Sequence, residues 1–108
     1  MSNKRETVIQ PEVFSEAEEI YEYIKLNSLQ NAEKFKIELL KQIDIVEANP
    51  TANPPEKLLN AKKTLYRFKI VMKSWKLIFK VTNTLLIFLG IVPTSRHPKE
   101  VQKLRTNE

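Results

Sequence analysis

The chain has no cysteine, one glycine and one histidine in 108 residues. Without cysteine there is no disulfide, no thiolate metal site and no cysteine nucleophile, a usage that fits a reducing cytoplasm. A single glycine excludes the glycine-rich loops that cradle phosphates. One histidine without a carboxylate cluster leaves neither a metal site nor a partner for a serine nucleophile, so no metal and no cofactor is expected. Long hydrophobic runs are absent too. The longest, residues 85–92, is about strand length, well short of the roughly 18 residues that cross a membrane. The N-terminus, "MSNKRETVIQPEVF", has basic residues with no apolar core behind them and does not read as a signal peptide.

The most informative absence is of acid. The net charge of +5 conceals an asymmetry: residues 1–56 hold 6 Lys/Arg against 11 Asp/Glu, whereas residues 57–99 hold 10 Lys/Arg and no Asp or Glu. A half with cations only predicts a polyanionic partner, either nucleic acid or an acidic protein segment. The simpler alternative is that these side chains keep a sheet soluble and its edges unpaired.

Length and composition suit one domain of 108 residues, with a polar tail from about residue 99. "RETVIQ" reads as a first strand, ended by Pro11, which lacks a ladder donor. Ser15 with Glu18 reads as a capping box opening a first helix that runs to about Leu26. Ser28 caps a second helix, whose apolar positions Leu29, Ala32, Phe35, Leu39, Ile43 and Val46 recur every three or four residues, with Ile37, Leu40 and Ile45 widening the face. Asn49-Pro50 stops it. A proline-rich connector follows.

The period then changes to two. "TLYRFKIV" and "SWKLIFKV" alternate apolar and basic residues around a turn at Met72, Lys73 and Ser74, and "TLLIFLGIV", apolar on both faces, reads as a central strand. The order β-α-α-β-β-β specifies an α+β fold, a helical hairpin packed on one face of a small antiparallel sheet.

If Tyr66, Phe68, Trp75 and Phe79 face the helices, Arg67, Lys69, Lys76 and Lys80 share the other face. Like charges would then stand about 5 Å apart across strands and call for an anion. Arg96 and His97 follow the last strand. Neighbouring cations disfavour a second positive charge on His97, leaving it able to accept a proton. Cleaving RNA without a metal needs a proton acceptor for the 2′-hydroxyl, cations for the pentavalent phosphate and a donor for the leaving oxygen. His97 or a lysine fits the first role and Arg67, Lys76 and Arg96 the second. Tyr66, His97 or a lysine fits the third. Lys69, Lys80 and Lys99 complete the candidate set as phosphate-binding residues.

The order of these segments resembles the RelE/ParE superfamily of toxins from bacterial type II toxin–antitoxin systems. The resemblance runs over about residues 5–100 and rests on "PEVFSEAEEIYEYI", a second helix ending "EANP", "LYRFKIVMKSWKLIFKV" and a closing strand ending "TSRHPK". Pro93 stands where relatives often have the histidine of an H-T-S-R phrase, and Lys76 where many have arginine. The resemblance implies a small cytoplasmic toxin held inactive by a cognate antitoxin, which wraps it with a helix and an extended segment. It also implies one of two activities: cleavage of messenger RNA on the ribosome, with Arg67, Lys76, Arg96 and His97 at the matching positions, or poisoning of DNA gyrase. An inactive partner-binding module of the same fold is the remaining reading.

Overall fold

The computed structural model describes residues 5–53 and 66–94. In chain order these are β1 (Glu6–Ile9), α1 (Pro11–Lys25), α2 (Leu29–Ala48), a 3-10 turn (Pro50–Ala52), β2 (Tyr66–Val71), β3 (Trp75–Val81) and β4 (Leu85–Pro93). The order and the α+β class are those expected from the sequence. The tail from residue 99 and most of the proline-rich connector lie outside the described residues.

The sheet order is β1-β4-β3-β2. The expectation of an all-antiparallel sheet holds for β2, β3 and β4 only. β1 runs parallel to β4, with Thr7 opposite Leu86 and Ile9 opposite Phe88. Parallel strands need a long crossover, and the two helices supply it between β1 and the rest of the sheet. β4 is interior, paired on both sides, as its two-sided apolar pattern required.

The start of α1 departs from expectation. The helix begins at Pro11, with Gln10 as an N-cap that makes no side-chain bond. Proline at the first helical position carries a suitable φ and lacks an N–H that would go unused there. Pro11 therefore both ends the strand and opens the helix. Ser15 lies inside α1, where its hydroxyl donates to the Glu12 carbonyl at 3.2 Å, so no capping box forms with Glu18. Ser28 does cap α2: its Oγ accepts from the Asn31 N–H at 3.0 Å.

The main core lies between the helices and one face of the sheet. Val13, Ile20, Phe35, Leu39, Ile43 and Val46 meet Val71, Leu77, Phe79, Leu86, Phe88 and Ile91 there. Each such burial is worth about 1.5–3 kcal/mol. Phe35 sets its ring edge-on to Trp75 at 6.3 Å between centroids. Ile37, Leu40 and Ile45 do not widen this face. They are 67%, 58% and 42% exposed, because they sit around the helix from the sheet-facing stripe.

The β2–β3 turn fixes which side chains share a face. Val71 pairs with Trp75, leaving Met72, Lys73 and Ser74 as a three-residue loop. Met72 and Lys73 adopt positive φ, 52° and 66°, a region non-glycine residues occupy at a cost of about 1 kcal/mol each. An odd loop makes directly opposed residues equal in parity: Tyr66 faces Lys80, Arg67 faces Phe79, Phe68 faces Ile78 and Lys69 faces Leu77. The aromatic stripe of β2 therefore lies on the opposite side of the sheet from that of β3.

Candidate functional site

This parity corrects the expected grouping of cations. Leu77 and Phe79 belong to the core under the helices, and their cross-strand partners Lys69 and Arg67 stand on that same side. Tyr66 and Phe68 instead join Ile78, Leu89, Val92 and Ile87 in a second apolar cluster on the other side. Lys76 and Lys80 stand with them. The four cations are split two and two, so the repulsion expected of a single patch is not built into the sheet.

On the side away from the helices, each lysine is placed over a ring. The Lys76 ammonium lies 4.4 Å from the Phe68 centroid, and that of Lys80 lies 5.8 Å from the Tyr66 centroid. Such contacts contribute about 0.5–1 kcal/mol each at partly exposed sites. They also hold the ammonium groups at fixed positions above an apolar floor. A lysine there recognises phosphate or carboxylate as a point charge, without the paired donors of a guanidinium.

Arg67 is engaged elsewhere. It comes from the edge strand, and its Nη1 donates to the Asn53 carbonyl at 2.6 Å, while its Nε is buried without a hydrogen-bond partner. Asn53 is itself buried, with its amide donating to the Asn49 and Pro50 carbonyls at 3.4 and 3.3 Å. Arg67 thus ties the outer strand to the C-terminal end of α2.

Arg96, His97 and Lys99 lie outside the described residues. The chain approaches them beside the β2–β3 turn, since the Thr94 N–H donates to the Ser74 carbonyl at 2.9 Å. Of the residues put forward for chemistry, the described structure therefore brings together Lys76, Lys80 and Tyr66, and parts them from Arg67 and Lys69.

One polar anchor gave no signal in the sequence. Glu16 lies one helical turn into α1, and its Oε1 accepts from the Ile91 N–H at 2.8 Å. β1 covers β4 only as far as Phe88, and α1 departs immediately afterwards. The carboxylate supplies the acceptor that a longer β1 would have offered. Half-burial pushes the Glu16 carboxyl above its ordinary 4.5; the Ile91 N–H opposes this, and Glu19 and Glu12 add to it. Its position in the sequence, amid four other glutamates on one helix, marks it only as a dipole-favouring residue.

Among the described residues, no helix is long and apolar enough to cross a membrane. The layered arrangement of two helices over a four-stranded mixed sheet is shared with a solved structure described as a chromosomal ParDE toxin–antitoxin system from P. aeruginosa. The two superpose with a TM-score of 0.67 over 85% of this chain and 98% of that one, at 14% identity. Identity this low establishes a common fold. No curated protein sequence matches the chain. The family model for the ParE toxin of the type II toxin–antitoxin system parDE matches residues 8–98. The chain belongs to that family, within the RelE/ParE superfamily of toxins.

Proposed function

We propose that this chain is the toxin of a cytoplasmic type II toxin–antitoxin pair, that a cognate antitoxin neutralises it, and that its target when released is DNA gyrase. The observation that carries the choice of target is the engagement of Arg67 with Asn53 on the helix side of the sheet, away from Lys76. A ribonuclease of the kind drawn from the sequence needs both cations around one phosphate. A toxin that acts by occupying a protein surface does not.

Ribosome-dependent cleavage of messenger RNA is the second reading. The observation favouring it is the pairing of Lys76 and Lys80 with the rings of Phe68 and Tyr66, a surface suited to phosphate beside a base. Arg96 and His97 would have to complete it.

Purified chain added to a gyrase supercoiling assay separates the two. Inhibition or trapped cleavage of DNA, relieved by the antitoxin, supports the proposal. Untouched gyrase together with cut ribosome-bound transcripts replaces it with the second reading. Failure of both, with antitoxin binding intact, leaves a partner-binding module without a toxic activity.

A further inference from the structure

The side of the sheet away from the helices is buried, although among the described residues no helix or strand lies over it. Ile78 is 0% exposed, Leu89 3% and Val92 7%. Side chains stand roughly perpendicular to a sheet, so on a bare face their tips meet water. Neighbours within the sheet do not close Ile78 in. It stands between Phe68 on β2 and Gly90 on β4, and Gly90 has no side chain. A register shift at Ile78 and Phe79 leaves Leu89 as the extra residue of β4 beside this gap. Complete burial there needs cover from above, and it is reached within a single chain.

The burial has a direction. Three levels of this face follow from the strand registers: Val92, Lys76 and Ile70; Gly90, Ile78 and Phe68; Ile87, Lys80 and Tyr66. The buried residues run diagonally across them, from Val92 over Leu89 and Ile78 to Tyr66, which is 8% exposed. The corners off this line are more open: Ile70 is 38% exposed and Ile87 is half-buried. The cover is therefore a band. Four residues along β3 and two strand spacings give it a length of about 16 Å.

We propose that residues 95–108 form this band, crossing the sheet from Val92 to Tyr66. The chain leaves β4 at Thr94, where the diagonal begins, and its N–H is tied to the Ser74 carbonyl. One crossing then suffices, and fourteen residues reach about 21 Å even at the rise of a helix. Residues 54–65 are placed less well. Arg67 holds Asn53 beside the start of β2, so both ends of that connector lie at one end of the diagonal. Going out and back takes about 32 Å, most of the roughly 40 Å that twelve extended residues can span. The four residues before β1 enter at the opposite edge of the sheet, beyond β4.

The composition of residues 95–108 suits the seat. Pro98, Val101 and Leu104 recur every third residue and supply an apolar side. Glu100 is the first carboxylate after Glu56, and it arrives on a face flanked by Lys76 and Lys80. Arg96, His97 and Lys99 follow Thr94 closely and so cross the Lys76 end of the sheet. The cations of this face thus come from two parts of the chain, and seating the band assembles them. The proposal is independent of the toxin's target.

The chain has no cysteine, so one introduced thiol reports the cover. In the full chain, Ile78→Cys should react slowly with a small maleimide, and Ile70→Cys quickly. Adding Leu104→Asp, or ending the chain after Lys99, should speed labelling of Ile78→Cys at least about tenfold, the mark of a local opening. An unchanged circular dichroism spectrum shows that the sheet persists, and if one of these two variants unfolds the other decides. Fast labelling of Ile78→Cys in the full chain overturns the proposal. So does protection that survives both changes, which assigns the cover to residues 54–65. Protection lost on dilution of the full chain also overturns it, since the cover is then a second copy.

Discussion

The Glu16 carboxylate accepts a hydrogen bond from the backbone N–H of Ile91, 75 residues away in sequence, at 2.8 Å. This single bond locks the first helix to the interior strand at the point where β1 ends. It also satisfies a donor that would otherwise be buried without a partner.

Replacing the acceptor separates its two properties. Glu16→Ala should cost about 1–3 kcal/mol, the penalty of stranding the Ile91 N–H. Glu16→Gln keeps an oxygen at the site without the charge, and should leave stability at pH 7 equal to or above that of the parent. Denaturant melts of the three proteins check the order Gln at or above Glu, and Glu above Ala.

The same carboxyl sets a pH dependence. Its pKa is raised in the folded state, so the unfolded chain loses this proton first as pH rises. The stabilisation that comes from holding the proton is full below about 4.5 and is lost as pH climbs through the higher folded value. Melting temperatures of parent and Glu16→Gln should therefore diverge across that window, the parent losing relative stability as pH rises. A constant difference between them would contradict the assignment.

Arg67 is expected to behave as a structural residue. Arg67→Ala removes a charge-assisted bond to the Asn53 carbonyl and should lower stability by about 1–3 kcal/mol. The cation–π contact that Lys76→Ala gives up is worth about 0.5–1 kcal/mol, below the loss expected for Arg67→Ala. If toxicity in cells falls for Arg67→Ala in step with the amount of soluble folded protein, the residue acts through the fold. Toxicity lost from a fully folded Arg67→Ala protein would return it to the functional site.

The turn offers a stabilising change. Lys73 sits at φ 66°, where glycine carries no steric penalty. Lys73→Gly should raise stability by about 0.5–1 kcal/mol, the relief of strain exceeding the added entropy of the unfolded chain. Thermal unfolding reads this directly.

Lys76 and Lys80 should carry the salt dependence of any polyanion contact on the far face of the sheet. For a nucleic-acid ligand, each alanine substitution there should reduce the slope of log affinity against log salt by about one. Lys69→Ala, on the helix side, should leave the slope unchanged. Equal effects at all three positions would place the contact elsewhere.

Much of the fold was legible in the sequence because it rests on local chemistry. Ser28, the Asn49-Pro50 stop and the turn at Met72, Lys73 and Ser74 are read from side chains that act on their own neighbours. The parallel placement of β1 was not legible, since the four residues of β1 carry no mark of direction. The cation grouping failed for a different reason. Alternation within β2 and within β3 is plain, but the phase between the strands depends on whether the loop holds an even or odd number of residues. The loop was identified correctly, and its three residues are incompatible with the shared face drawn from the aromatics. Arg67 was thereby placed beside Lys76 when it belongs at the end of α2. Of the site, Lys76 and Lys80 were visible as cations, but not the rings beneath them. Glu16 could not be told from its neighbours because its partner is a backbone N–H, which no residue type announces.

The odd count of the β2–β3 loop reaches beyond this molecule. Gaining or losing one residue there would turn every side chain of β2 to the opposite side of the sheet while leaving the rest of the sequence intact. Two relatives can therefore carry the same arginine in the same strand and present it to different surroundings. When functional residues are transferred between distant members of this family, loop length has to be compared before letters are.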